Sequence, residues 1–225
     1  MVNFLYLPLT IGLFIAAKHL QQRFSVTWLN PVLITLSILV VSLLAFDISF
    51  DDYNQYSGWL SKLLEPAVVA LGVPLYKQLY DIKAELPRIA ITIVVAAVVA
   101  IATTVGLALV VGASPEIAAS LAPKSVTTPI AVLISEQVAG EPALTAIAVL
   151  ITGLVGAVVG IPVLKLCGVH SSKAQGIAMG TACHALGTAR IAEEGHQQGA
   201  YGALALVLSA TFSAMLCPLI VPLFA

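Results

Sequence analysis

Charged residues are scarce in this sequence, and their scarcity excludes most classes of soluble protein. Only 9% of the 225 residues are charged, whereas 60% are hydrophobic. Soluble domains carry about 25% charged residues, so the composition indicates an integral membrane protein. The net charge of −1 and the lack of a basic cluster argue against a nucleic-acid partner.

Cysteine and histidine are also few, and they lack the spacing of a redox or metal site. Cys167, Cys183 and Cys217 form no CxxC pair, which favours small packing residues over disulfide or redox roles. The four histidines show no zinc-ligand spacing. We therefore expect neither a metal site nor a cofactor.

Long apolar segments separated by polar connections make up most of the chain. A membrane of about 30 Å needs roughly 20 apolar residues, so we predict an all-α polytopic fold with about six full transmembrane helices. The predicted segments are Phe4–Ala17, Pro31–Phe46, Trp59–Tyr76, Ile89–Val111, Pro142–Leu164 and Gly199–Phe224. Polar connections are predicted at residues 18–23, 47–53 and 77–88, and a kink at residues 71–74. The first segment lacks the positive flank and cleavage site of a signal peptide, so we expect it to be retained.

The most polar break in this pattern is Ala122–Pro129, between the short pieces Glu116–Leu121 and Ile130–Ala139. Its two prolines stop a helix, because each removes a backbone donor and clashes with the preceding turn. Between the prolines are one lysine and three hydroxyl side chains. In a membrane such a break persists only where protein or a water-filled cavity satisfies the freed backbone groups.

A second break is predicted at Cys183–Ala189, between the short pieces Ala174–Ala182 and Arg190–Gln197. Shifting the chain by 60 residues pairs Thr128 with Thr188 and indicates a weak internal repeat. Inverted repeats with interrupted helices that meet near the midplane are usual in secondary transporters.

The distribution of lysine and arginine predicts how the two pairs of short pieces lie in the membrane. Cytoplasmic loops collect these residues. If the N-terminus is outside and both pairs are hairpins, the basic residues of the connections fall inside and the loop carboxylates outside. If the first pair crosses the membrane instead, this bias is lost. We therefore predict two oppositely oriented re-entrant hairpins, near residues 115–140 and 173–197.

Hairpin tips of this composition suit a small anion. Helix N-termini carry partial positive charge, and a full charge at depth is expensive enough to be functional, although a lysine or arginine can also snorkel to an interface. Hydroxyls in membrane helices often bond only to their own backbone. The candidate substrate-binding residues are Lys124, Ser125, Thr127, Thr128, His184, Gly187, Thr188 and Arg190.

Three carboxylates are candidates for ion pairing with these cations or for proton coupling. They are Glu136, Glu193 and Glu194. A hydrolase alternative would rest on His184 and Glu193 alone, without a nucleophile or metal at a defined distance. We therefore expect no enzymatic activity.

Two motifs resemble a known family. The stretches PKSVTTPIA at residues 123–131 and GTACHALGTAR at residues 180–190, followed by EEG at 193–195, resemble the signature of the LrgB/CidB family of bacterial membrane proteins. The plant plastid glycolate/glycerate transporter resembles this family in its C-terminal half. Cys183 stands where a small residue such as serine is expected.

The resemblance implies two competing functions. One is secondary carriage of small monocarboxylates such as glycolate, glycerate or pyruvate across the bacterial inner membrane. The other is an antiholin-like regulator of murein hydrolase export and lysis. The resemblance also implies a small partner membrane protein of LrgA/CidA type. In the carrier interpretation, residues 1–88 form a scaffold and homodimer interface among membrane lipids, and residues 89–225 form the moving transport domain.

Overall fold

The computed structural model describes residues 6–24, 31–63, 66, 76 and 83–224. These residues are helical or in turns and include no strand, as the all-α prediction requires. The chain divides into two compact units, Met1–Ala70 and Leu71–Ala225. Most of the third predicted segment, with its kink, lies outside the described residues. The predicted roles of residues 1–88 and 89–225 stay predictions.

The first unit is a small helical cluster. It contains α1 (Tyr6–Phe24), α2 (Pro31–Ala45), α3 (Phe50–Ser57) and α4 (Trp59–Lys62). Helix α1 packs on α2 and α3. The hydroxyls of Thr10 and Tyr53 lie 2.9 Å apart and join α1 to α3.

Two predicted connections of this unit differ from the structure in their bounds. Residues 18–23 continue helix α1, because lysine, glutamine and arginine are good helix formers. Residues 50–53 of the predicted acidic loop begin α3 instead. Ser49 caps this helix by accepting a hydrogen bond from the Asp52 amide, and Asp51 and Asp52 favour its positive N-terminal end.

The second unit contains the long apolar helices. Its elements are α5 (Leu86–Val110), α6 (Pro115–Leu121), α7 (Thr128–Gln137), α8 (Pro142–Leu166), α9 (Ser172–Ala192), α10 (His196–Ile220) and a final 3-10 turn (Val221–Phe224). Within the described ranges, three helices are long and apolar enough to cross a membrane: α5, α8, and α10 with its final turn. Helix α2 is apolar but has only 15 residues. The count of about six spans stays a prediction.

The first break is a tight turn between α6 and α7, and the two prolines act as predicted. The amides of Lys124 and Val126 each bond to the carbonyl three residues earlier, so the chain turns rather than continuing as an α-helix. Thr127 is extended, and Pro129 lies in the first turn of α7.

A cluster of buried hydroxyl groups links the two helices that flank this turn. The Thr145 hydroxyl, on α8, lies 2.8 Å from the Ser120 carbonyl and 2.7 Å from the Ser135 hydroxyl. The Ser120 hydroxyl accepts a hydrogen bond from the Glu141 amide. Ser120 and Ser135 belong to α6 and α7, so one threonine of α8 joins both sides of the first break.

The second break lies inside α9 and is shorter than predicted. Only Cys183 (φ −124°, ψ 18°) and His184 (φ 42°, ψ −138°) leave helical geometry. Gly202 of α10 lies beside both Gly176 and Ile191, which a straight helix would separate by about 22 Å. Helix α9 therefore folds back on itself at this break. Whether either turn is re-entrant in a membrane stays a prediction.

The predicted second arm, Arg190–Gln197, is wrong in its bounds. Residues after His184 resume the helix, which ends at Ala192. Gly195 is fully extended, and a new helix begins at His196, so Gln197 belongs to α10. The Thr128/Thr188 pairing is not matched by equivalent surroundings: Thr128 is exposed at the start of α7, and Thr188 is completely buried.

Three glycines on α8 make room for the second break. A Cβ on Gly153 would lie 2.5 Å from the His184 ring, and one on Gly160 would lie 2.5 Å from the Met179 sulfur. A Cβ on Gly156 would overlap Cys183. These three glycines therefore let α8 and α9 pack closely.

Candidate ligand-binding site

A cavity of about 680 Å³ lies between the first break and the part of α9 that precedes its own break at Cys183. Its size is within the usual range of small-molecule sites, roughly 300–1,000 Å³. Most of its wall area is apolar, although six of its twelve lining residues carry polar side chains. The lining residues are Thr92, Ala96, Ala100, Lys124, Ser125, Ser171, Lys173, Ala174, Ile177, Ala178, Thr181 and Ala182.

Lys124 is the central charge of this cavity. Its side chain is half-buried, and it has no hydrogen-bond or ion-pair partner in the part of the chain that the structure describes. Lys124 and Ser125 share the cavity wall with Thr181 and Ala182, which directly precede Cys183, so the first break lies near the second. A partly desolvated cation without a partner favours the binding of an anion.

The other predicted residues of the first break differ in position. Ser125 is half-buried and lines the cavity next to Lys124. Thr127 precedes α7 and its side chain makes no cap hydrogen bond. Thr128 is exposed on the first turn of that helix. Of these hydroxyls, the structure therefore brings only Ser125 together with Lys124.

The predicted residues of the second break are engaged in the fold. His184 is buried, and its Nε2 lies 2.9 Å from the Val149 carbonyl. Thr188 is completely buried and donates to the His184 carbonyl at 2.8 Å. Gly187 packs against the Met179 carbonyl, where a Cβ would lie 2.7 Å from the oxygen. None of the three lines the described cavity.

Arg190 is ion-paired six residues beyond the second break. Its guanidinium lies 3.0 Å from Glu194 and 3.4 Å from Glu193. Glu194 also lies 3.9 Å from the Lys165 ammonium. The predicted pairing of these carboxylates with Arg190 is confirmed. Glu136 is exposed on α7, away from the cavity wall.

The chain matches the model of the LrgB-like family over residues 10–223. This chain belongs to the LrgB-like family. It is 37% identical over 219 residues to an uncharacterized protein of Haemophilus influenzae, covering 97% of this chain and 95% of the relative. It is 31% identical over 220 residues to the holin-like protein CidB of Staphylococcus aureus, covering 98% and 96% respectively. No solved structure matches the chain.

Thr181 is a cavity residue of this LrgB-like protein that sequence reasoning missed. It is 8% exposed, and its hydroxyl oxygen is buried without a hydrogen-bond partner. Buried hydroxyls normally have partners, so an unpaired one on a cavity wall needs an explanation. Its signal in the sequence was weak: it is a single threonine just before the second break.

Lys173 is the second cation of the cavity, and it was not among the predicted site residues. Its ammonium lies 2.6 Å from Glu85 Oε1. This hydrogen bond raises the pKa of Lys173 and holds the pKa of Glu85 below its ordinary value, with Tyr201 contributing to both shifts. Both groups therefore stay ionised across the neutral range.

The donor set of the LrgB-like chain suits organic anions better than metals. Within the described ranges, no three histidine, cysteine or carboxylate side chains lie close enough together to hold a metal ion. Cys183 and Cys217 are buried and Cys167 is exposed, and each has a free thiol. The cavity instead offers ammonium and hydroxyl groups, which bind carboxylates through charge-assisted hydrogen bonds.

Proposed function

We propose that this chain is a secondary carrier of small monocarboxylates resembling glycolate, glycerate or pyruvate. The observation that supports this function best is the half-buried Lys124 on the wall of a mainly apolar cavity, where it has no hydrogen-bond or ion-pair partner among the described residues. An ammonium in such surroundings favours one carboxylate as its counter-ion. Ser125 and Thr181 line the same cavity and could bond the hydroxyl or keto oxygen of the substrate.

Lys124, rather than Arg190, neutralises the substrate carboxylate in this proposal. Arg190 already faces the two carboxylates Glu193 and Glu194. Displacing them would sacrifice existing ion pairs, whereas binding at Lys124 displaces no protein carboxylate. Glu136, Glu193 and Glu194 remain proposed sites of proton coupling, and no enzymatic step is proposed.

In the proposed transport cycle, residues 89–225 form the moving transport domain. In this proposal the chain lies in the bacterial inner membrane with its N-terminus outside, and both breaks are tips of oppositely oriented re-entrant hairpins. Residues 1–88 serve as a scaffold and homodimer interface, and a small membrane protein of LrgA/CidA type is the partner. Alternating access around a site between interrupted helices is the usual mechanism of such carriers.

A flux assay tests the carrier proposal directly. Purified protein in liposomes, with and without the small partner protein, is expected to take up labelled glycolate or pyruvate with saturation. Lys124→Gln removes the charge and keeps a polar side chain that is one atom shorter, and it is expected to weaken binding by about ten- to hundredfold. Lys165→Gln is the matched control, because Lys165 is an exposed lysine outside the cavity. If the wild-type protein shows no saturable uptake either with or without the small partner protein, the carrier proposal is wrong.

The second candidate function is a holin- or antiholin-type regulator of murein hydrolase export and lysis. The name of the Staphylococcus aureus relative, holin-like protein CidB, favours it. Under this alternative the polar breaks serve oligomer packing. Lys124→Ala and Arg190→Ala would then change the assembly size on native gels, and neither the wild type nor the variants would bind carboxylate.

A further inference from the structure

Three residues from separate elements meet at the end of the cavity that is formed by the start of α9. Glu85 directly precedes α5, Lys173 lies in the first turn of α9, and Tyr201 lies on α10. The Lys173 ammonium lies 2.6 Å from one oxygen of Glu85. The Tyr201 hydroxyl donates to the other oxygen at 3.2 Å. Each oxygen of one carboxylate thus has its own donor.

The Lys173 and Tyr201 side chains together have the form of a carboxylate receptor. Tyr201 is completely buried, which fixes its phenol, and the Lys173 ammonium lies 5.6 Å from the centre of its ring. The acidic member is less constrained. The Glu85 and Lys173 side chains are 39% and 40% exposed, and partly exposed ion pairs are weak and exchangeable.

Lys173 also lines the cavity that contains Lys124. The cavity therefore has two cations in different states. Lys124 has no partner in the described part of the chain, and Lys173 holds a carboxylate supplied by the protein itself. An anion that reaches Lys173 must compete with Glu85, whereas one that reaches Lys124 does not.

We propose that Lys173 and Tyr201 form a second site for small carboxylates at the partly exposed end of the cavity, on the proposed cytoplasmic side. At this site, which is called the outer station for its position in the cavity, the Glu85 carboxylate is bound until a substrate carboxylate exchanges with it. The proposal rests on the carrier function above and adds a second binding position to it. Exchange releases Glu85, and with it the tether between the start of α5 and the start of α9. Occupancy of the outer station and opening of this end of the cavity are then coupled.

Variants that remove or swap the charges of Glu85 and Lys173 distinguish this proposal from a purely structural ion pair. The test measures glycolate affinity by ligand-induced thermal stabilisation of the purified full chain. Lys173→Gln is expected to weaken glycolate binding about tenfold. Glu85→Gln removes the competing carboxylate and is expected to tighten binding about threefold. The double variant Glu85→Lys/Lys173→Glu restores an ion pair but puts a carboxylate on the cavity wall, so its affinity is expected to stay low.

The outcomes distinguish the outer station from the carrier function itself. Lys165→Gln, which removes an exposed lysine outside the cavity, is expected to keep the wild-type affinity. Wild-type affinity in the double variant, or no change in Glu85→Gln, overturns the outer station while binding that depends on Lys124 survives. If Lys173→Gln does not fold, Glu85→Gln still decides. A wild-type protein that binds no glycolate overturns both proposals.

Discussion

The first and second breaks have similar polar residues but differ in what those residues contact. At the first break, Lys124 and Ser125 face a cavity, and Lys124 has no partner in the described residues. At the second break, His184 bonds to the Val149 carbonyl, and Thr188 bonds to the His184 carbonyl. A polar break in an apolar helix therefore has two uses. At the first break, a charged side chain is available to bind a ligand. At the second break, the polar side chains form hydrogen bonds that stabilise the turn.

The largest effect is expected for Gly153→Leu, which removes the space that the second break occupies. A Cβ at this position would already lie 2.5 Å from the His184 ring. Overpacking together with a lost buried hydrogen bond is expected to cost about 3 kcal/mol or more, or roughly 6–12 °C in melting temperature. Fluorescence-monitored unfolding in detergent measures it. Gly106→Ala is the control, since its Cβ would meet only the Phe224 ring at 3.7 Å.

The next effect separates stability from binding at the second break. His184→Ala removes the ring that contacts the Val149 carbonyl and leaves a cavity, so we expect a loss of about 2 kcal/mol, or roughly 4–8 °C. Glycolate affinity is expected to stay within about twofold of wild type, because the ring does not line the cavity. Lys124→Gln is expected to show the reverse pattern. Unchanged melting with lost binding in His184→Ala would contradict the division of roles.

The sequence located the first break well because prolines act through local backbone chemistry. Pro123 and Pro129 each remove a backbone donor, and the residues between them add one lysine and three hydroxyls. An isolated proline without such polar neighbours, Pro162 in α8, leaves its helix continuous. The second break consists of Cys183 and His184, neither of which is a proline or a glycine. It fits against the glycines of a different helix, α8. Such a break depends on tertiary packing. The sequence therefore predicted the region 183–189, but not that only its first two residues leave helical geometry.

The candidate site divides in the same way. Lys124 was predictable because a lysine between apolar helices stands out in any membrane sequence. The Arg190 ion pairs with Glu193 and Glu194 were also within reach, since the spacings are i,i+3 and i,i+4 on one helix. Lys173 and Thr181 were not, because their part in the cavity depends on the approach of α9 to α5 and to the first break.

A smaller, pH-dependent effect is expected from the Glu85–Lys173 pair near the first break's cavity. The pKa of Glu85 is lowered by Lys173 first, and also by Tyr201 and Arg88, so its stabilising effect is lost as pH falls through that lowered value. The pKa of Lys173 is raised by Glu85, so its effect is lost as pH rises through that raised value. The wild type should therefore lose more melting temperature than Glu85→Gln between about pH 6 and about pH 3. Parallel pH curves for the two proteins would contradict the assignment.

The smallest change in stability is expected for Thr181→Val. This variant also tests whether Thr181 binds the ligand together with Lys124. Valine has nearly the same shape, and the hydroxyl it replaces is buried without a partner, so the melting temperature should stay the same or rise slightly. If Thr181 acts with Lys124 on the ligand, glycolate affinity should nonetheless fall, by about two- to tenfold for one lost hydrogen bond. Thr188→Val is the matched control, because its hydroxyl bonds to the His184 carbonyl and its loss should lower stability without changing affinity. A Thr181→Val protein with wild-type affinity would show that Thr181 does not bind the ligand.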